Sequence, residues 1–153
     1  MTTFSFDEYQ QRAVRTLKPQ KALTTQEGAV LNWALGAANE AGELAGVVKH
    51  EIFHRPRAGH PFASSASMME LAKEVGDVLW YLAALCAELG ISLTDCADLN
   101  LVKLEHRHGL GQGSGGAFSF EGSDQRHTAE VELKDTSAYQ AIKRRIMGWE
   151  ERV

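Results

Sequence analysis

Asn39-Glu40-Ala41-Gly42-Glu43-Leu44 is the stretch around which the chain is organised, and Glu70-Leu71-Ala72-Lys73-Glu74-Val75-Gly76-Asp77 repeats its pattern. In each stretch two carboxylates stand three residues apart, Glu40 with Glu43 and Glu74 with Asp77. Three residues are close to one helical turn, so each pair projects from one face of a helix. The sequence therefore predicts two helices that each carry an acidic pair.

Both acidic pairs are set among small and apolar residues, such as Ala37 and Leu44 around the first and Val75 and Trp80 around the second. Carboxylates that enter an apolar contact cost several kcal/mol each unless they are paired or bind a cation. Their oxygens are hard donors, and no cysteine or obvious histidine partner accompanies them. We therefore predict a site for Mg²⁺, with Mn²⁺ as an alternative.

The composition limits the classes of function that the chain can have. With 153 residues and a formal net charge of −4, it is long enough to bury a core and shows no general attraction to nucleic acid. Cys86 and Cys96 lack metal-ligand spacing and are expected to be reduced. The N-terminus lacks a basic region before an apolar run, and no segment approaches about 18 uninterrupted apolar residues. We expect a cytoplasmic protein without a membrane span.

Hydrophobic periodicity predicts an all-α fold, a helical bundle built on an antiparallel hairpin of two long helices. Side by side, these helices would bring the two acidic pairs together. Their remaining apolar surface predicts completion by a homodimer or homotetramer. The expected helices are residues 5–18, starting at Ser5 or Asp7; residues 24–53, beginning with the capping box Thr24-Thr25-Gln26-Glu27; residues 67–90, from the capping pair Ser67 and Glu70 to Gly90; one starting near Ser92 or Thr94; and residues 137–149.

Glycines inside the second helix and glycines after the fourth helix have different expected roles. Gly42 and Gly46 weaken the second helix, which suggests either close helix approach or room for a ligand. The glycine-rich residues 109–116 mark a flexible boundary. We therefore expect a helical domain over residues 1–110, followed by a linker and tail over residues 111–153.

The fourth predicted helix carries Asn100, Lys103 and Arg107 on one face. A site made only of a metal and carboxylates does not need the cationic side chains of Lys103 and Arg107. They are explained by a polyphosphate ligand, whose charge the metal and the side chains would share.

The spaced acidic pairs, the segment Glu74-Val-Gly-Asp77-Val-Leu-Trp-Tyr81-Leu and the later Asn100, Lys103 and Arg107 together resemble the MazG-like nucleoside triphosphate pyrophosphohydrolases over residues 5–110. The resemblance implies an all-α enzyme that hydrolyses a (deoxy)nucleoside triphosphate to monophosphate and pyrophosphate with Mg²⁺. Carried over by position, the metal ligands are Glu40, Glu43, Glu74 and Asp77, and the substrate contacts are Asn100, Lys103, Arg107 and Tyr81. Glu43 is also assigned the orientation of the attacking water.

Alternatives stay open at several positions. Tyr81 and Trp33 either contact the nucleotide or belong to the core. A dUTPase-like or phosphoribosyl-ATP pyrophosphohydrolase activity is a rival to general clearance of nucleotide pools. A catalytically silent helical interaction module, with its carboxylates paired to Lys or Arg, is the rival from another class. The preferred base and sugar, the metal count and the purpose of the tail are not decided by the sequence.

Overall fold

The computed structural model describes residues 4–18, 25–54, 65–107, 134 and 136–147. Within those residues the chain is all-α, as predicted. It forms two compact units, Met1–Leu89 and Gly90–Val153. The first contains α1 (Phe6–Val14), α2 (Gln26–Phe53) and α3 (Ser65–Glu88), and the second contains α4 (Leu93–Arg107) and α5 (Ser137–Met147). The predicted boundary at residue 110 lies outside the described residues and stays a prediction.

Three helices begin at side-chain caps: Ser5 and Ser92 are positions that the sequence indicated, and the cap of α2 is Thr25, one residue after the first threonine of the predicted capping box. The hydroxyl of Ser5 accepts from the backbone N–H of Glu8 at 3.1 Å, and that of Thr25 accepts from Gly28 at 3.1 Å. Ser92 accepts from the N–H of Asp95 at 3.2 Å at the start of α4. Each cap satisfies one of the N–H groups that a helix leaves unpaired, which stabilises the helix by about 1 kcal/mol.

The predicted capping box at the start of α3 is wrong. The helix begins at Ser65, so Ser67 lies inside its first turn, where it is buried. Glu70 instead pairs with Lys73, whose Nζ lies 3.0 Å from its Oε2. At the other end the prediction is confirmed: α3 ends at Glu88, and Gly90 adopts a φ of 66°, a conformation that glycine permits without strain.

An aromatic cluster forms the contact between α2 and α3. Trp33 is 5% exposed and packs with Ala84, Trp80 and Tyr81. Its ring centroid lies 6.0 Å from that of Trp80 in an edge-on arrangement and 6.4 Å from that of Tyr81. The indole N–H of Trp33 is directed to Oε2 of Glu88 at 3.5 Å. Trp33 is therefore a core residue, which was one of its two predicted roles.

Helices α2 and α3 make their contacts in the order of an antiparallel pair: positions later in α2 contact positions earlier in α3. Residues near the start of α2 contact the end of α3, and residues at its middle contact the middle of α3. The contacts are Gln26 with Glu88, Trp33 with Tyr81, and Glu40 with Asp77.

Helix α1 and the turn after it are tied to α3 by two polar contacts. The indole N–H of Trp80 donates to Oγ1 of Thr16 at 2.8 Å. The hydroxyl of Tyr9 lies 3.5 Å from the backbone carbonyl of Gly76. These contacts place α1 against the stretch of α3 that carries Glu74 and Asp77.

The glycines of α2 serve different purposes. A Cβ at Gly36 would lie 2.0 Å from Cε1 of Tyr81, so this position must be a glycine if the ring is to sit there. At Gly42 and Gly46 a Cβ would meet nothing within 4 Å. The expectation of close helix approach at these two glycines is therefore wrong, and open space beside the carboxylates is what the structure has.

No single helix in the described ranges is both long enough and apolar enough to cross a membrane. The helical segments Ala66–Glu88 and Leu93–Arg107 reach the required length and apolar composition only when they are counted together as one span with a break in it. Buried helices of globular proteins reach them as well, so the pair is weak support for a span.

Candidate functional site

Three carboxylates meet where the middles of α2 and α3 pack together. One oxygen each from Glu40, Glu74 and Asp77 lies within 4.8 Å of the others. Glu40 and Glu74 are partly buried, whereas Asp77 is exposed. The spacing of three residues on α3 puts both of its acids on the side that faces α2. We call these three residues the carboxylate cluster.

The carboxylates of the cluster repel one another when no cation is bound. Among the described residues, no salt bridge reaches Glu40, Glu74 or Asp77. The pKa of Glu74 is raised, first by partial removal from water and then by the negative charges of its carboxylate neighbours. Those neighbours, in order of effect, are Glu43, Asp77, Glu70 and Glu40. A carboxylate in this field holds a proton or a cation more readily than an isolated glutamate does.

Glu43, the fourth predicted ligand, lies beside the cluster and not within it. Its Oε1 accepts a hydrogen bond of 2.8 Å from the side-chain amide of Asn39, one turn earlier on α2. Its charge is nonetheless felt at Glu74. The structure therefore brings together three of the four predicted ligands and holds the fourth next to them.

A cavity of about 570 Å³ opens next to the cluster, with Glu43 and Glu74 in its wall. This volume lies within the range of small-molecule sites, about 300–1,000 Å³. Most of the lining residues are acidic or small, and Gly46 leaves open space in the wall. The remaining lining residues are Val47, His50, Glu51, Ala66, Ser67 and Glu70.

The predicted substrate residues fall in different places. Tyr81 packs into the aromatic cluster, with its ring centroid 4.9 Å from that of Trp80, which agrees with its alternative role as a core residue. Asn100, Lys103 and Arg107 all lie on α4, in the second unit. Asn100 and Arg107 are exposed and Lys103 is partly buried. Their contact with substrate stays a prediction.

Two residues near the cluster were not among the predicted site residues. Asn39 fixes Glu43, and the signal for it was present, because it precedes Glu43 by four residues on the same helix. Tyr9 lies near Asp77, and its pKa is raised by burial and then by the charge of that carboxylate. No local pattern could identify Tyr9, since it approaches the cluster from α1, 67 residues before Gly76.

The donor set suits a hard divalent cation. Carboxylate oxygens are the ligands that Mg²⁺, Mn²⁺ and Ca²⁺ prefer, whereas zinc and softer metals favour histidine or cysteine. The group of three contains neither. Cys86 and Cys96 form no disulfide and are not part of this group. The chemistry of the described residues therefore fits the predicted class of metal.

The fold and the site define a helical protein with a cluster of three carboxylates between two antiparallel helices. A family model, described as the MazG nucleotide pyrophosphohydrolase domain, matches residues 30–110, more than half of the 153-residue chain. The chain belongs to this family, and the predicted resemblance is confirmed. Its class of activity is accordingly that of a pyrophosphohydrolase acting on nucleotides.

One curated relative is similar over about half of the chain. "Gene 37 protein" of Mycobacterium phage L5 is 37% identical over 83 residues, which cover 53% of this chain and 69% of the phage protein. Its name states no activity. No solved structure matches the chain.

Proposed function

We propose that the chain hydrolyses a nucleoside or deoxynucleoside triphosphate to the monophosphate and pyrophosphate in the presence of Mg²⁺, and so clears cytoplasmic nucleotide pools. One observation carries the proposal: Glu40, Glu74 and Asp77 converge within 4.8 Å in a member of the MazG family. Neither nucleic acid nor a membrane is a partner in this proposal.

In the proposed site the carboxylate cluster would hold Mg²⁺, for which Mn²⁺ could substitute. The metal would supply charge neutralisation for the phosphate oxygens and a nucleophile at neutral pH. Glu43 has one oxygen engaged by Asn39. We assign to Glu43 the orientation of the attacking water and the acceptance of its proton, because it lies beside the cluster and shares the cavity wall with Glu74.

The residues of α4 complete the proposed substrate contacts. Lys103 and Arg107 carry positive charge that a triphosphate requires in addition to the metal, and the amide of Asn100 can both donate and accept hydrogen bonds. Tyr81 shapes the site indirectly, through its packing on Gly36 and Trp33.

The oligomeric state is also a proposal. Apolar side chains stay exposed on both long helices, with Leu31 and Leu35 on α2 at 58% and 61% exposure and Val75 on α3 at 53%. Leu31 and Leu35 are four residues apart and so lie on one face of α2, and an exposed apolar face is often covered by a partner. We propose a homodimer or a homotetramer, which sedimentation analysis of wild type and of Leu35→Glu distinguishes from a monomer.

The proposed function is tested by pyrophosphate release from a panel of standard and modified ribo- and deoxyribonucleoside triphosphates, with the nucleotide product identified. Release of pyrophosphate and monophosphate in equal amounts from several triphosphates supports general clearance. Cleavage of dUTP alone, or of phosphoribosyl-ATP alone, replaces it with one of those specific activities. Release of inorganic phosphate instead of pyrophosphate contradicts every version.

Matched variants separate the site from the fold. Glu40→Gln removes a cluster charge with little change of shape, and Glu27→Gln makes the same change in the exposed first turn of α2. We expect Glu40→Gln to lose at least about 100-fold in turnover, whereas Glu27→Gln retains it. If wild type binds no Mg²⁺ or Mn²⁺, and Glu43→Gln leaves turnover and thermal stability unchanged, the chain is an interaction module.

A further inference from the structure

Helix α5 contacts α4 through one arginine that forms salt bridges with two carboxylates. Nε of Arg145 lies 2.6 Å from Oδ1 of Asp95, and Nη2 lies 3.1 Å from Oδ2 of Asp98. The side chain of Asp95 is only 15% exposed. A planar guanidinium can serve two acceptors in different directions at once, which the single ammonium of a lysine cannot do in the same geometry.

Apolar burial supports the same contact. Ile142 lies three residues before Arg145, on the same side of α5, and is 5% exposed. Thr136 caps the helix by accepting from the N–H of Tyr139 at 3.2 Å. Within the second unit, α5 is therefore a formed and docked helix, with an apolar anchor and a charged one on the same face.

This contact lies on the helix that carries the proposed substrate residues. Asp95 and Asp98 occupy the first half of α4, and Asn100, Lys103 and Arg107 occupy the second half. At 1.5 Å per residue, Asp98 precedes Lys103 by about 7.5 Å along the helix axis, which is less than the screening length of physiological salt. An uncompensated Asp98 would therefore weaken the attraction of an anionic ligand to Lys103.

The family match ends at residue 110, so α4 lies inside it and α5 lies outside it. We propose that α5 is a functional part of the enzyme, in which Arg145 is a positioning residue that holds α5 against α4 and neutralises Asp95 and Asp98 for binding of the triphosphate. This inference rests on the proposed function, and it assigns a purpose to the tail.

The test compares Arg145→Ala with Arg144→Ala, which removes the same charge from the adjacent exposed position of α5. We measure KM, kcat and the affinity for an analogue of the substrate that cannot be cleaved between the α and β phosphates. Arg145→Ala should raise KM and weaken analogue binding about threefold to tenfold with a smaller change in kcat. Arg144→Ala should leave the contact of α5 with α4 intact and bind the analogue as wild type does.

A second pair of variants separates charge from folding. Arg145→Lys keeps the charge but not the fork, so its KM should lie between those of wild type and Arg145→Ala. Adding Asp95→Asn and Asp98→Asn to Arg145→Ala removes the uncompensated charge and should lower KM again. If Arg145→Ala does not fold, Arg145→Lys decides.

Two results overturn the inference in different ways. A wild type that turns over triphosphate, together with Arg145 variants of unchanged KM and analogue affinity, refutes the role of α5 and leaves the proposed function standing. A wild type that releases no pyrophosphate from any triphosphate refutes both.

Discussion

The ring of Tyr81 occupies the space that a side chain at Gly36 would fill, with Cε1 2.0 Å and Cδ1 2.3 Å from the position of a Cβ there. The ring cannot easily withdraw, because it packs on Trp80 and Trp33. The two helices thus approach each other through a glycine and an aromatic residue, one helical turn from Glu40 on α2 and from Asp77 on α3.

Gly36→Ala is expected to destabilise the protein. Overpacking costs about 1–3 kcal/mol and exceeds the gain of up to about 1 kcal/mol from replacing a helical glycine by alanine. Gly42→Ala is the control, since its Cβ would meet nothing within 4 Å, and it should be neutral or stabilising. Chemical denaturation gives both values. In a Tyr81→Ala background the penalty of Gly36→Ala should disappear, and a penalty that persists there contradicts the explanation.

Stability without divalent metal should decline as the pH rises. The folded state raises the pKa of Glu74, so the folded protein holds this proton more tightly than the unfolded chain does. The associated stability is complete below the ordinary pKa of a glutamate and is lost as the pH passes through the raised value. Glu74→Gln should reduce this dependence, and Mg²⁺ should raise the melting temperature of wild type more than that of the variant. Thermal melts in EDTA and in Mg²⁺ between pH 4 and pH 8 measure both effects, on the order of a few degrees.

Glu43 should behave differently from the three residues of the carboxylate cluster. Because it lies beside the cluster and is held by Asn39, Glu43→Gln is expected to lower kcat by about 10²–10⁴-fold while Mg²⁺ affinity changes little. Glu40→Gln should weaken Mg²⁺ binding itself. Titration of Mg²⁺ by calorimetry alongside kinetics separates the two. Equal loss of affinity in both variants would make Glu43 a ligand, as the family resemblance implies.

Thr16→Val should loosen α1 from α3, because it leaves the indole N–H of Trp80 without its acceptor. Loss of one such hydrogen bond costs about 0.5–1.5 kcal/mol. Thr16→Ser keeps the hydroxyl and serves as the matched control. The free energy of unfolding from urea titration should fall for the valine variant alone, and a serine variant that is equally unstable contradicts the role of this bond.

The sequence predicted the helices where local signals were unambiguous. Thr25 precedes a long apolar periodicity, and Gly90 follows one, so both ends were determined by neighbouring residues. The start of α3 was not, because serines at positions 64, 65 and 67 carry the same capping signal. Local signals alone therefore do not determine which serine begins the helix.

The sequence also predicted part of the candidate site. Spacing identified Glu40, Glu74 and Asp77, because acids near one helical turn apart must share a face. It did not separate Glu43 from them, since side chains three residues apart still diverge by about 60° around the helix axis. Packing against α3 turns Glu40 into the cluster and leaves Glu43 at its edge. Tyr9 and Arg145 depend on contacts between distant segments, which no local pattern encodes.

The carboxylate cluster also has a consequence for the rate at which ligands arrive. Three negative charges within 4.8 Å repel a free triphosphate, which has the same sign, and attract the cation that the triphosphate carries in solution. Encounters with the bare nucleotide are slowed more than those with its magnesium complex, which carries less negative charge. Under the proposed function the cluster is then a filter on diffusion as well as a binding site, and it discriminates between charge states before any base is recognised.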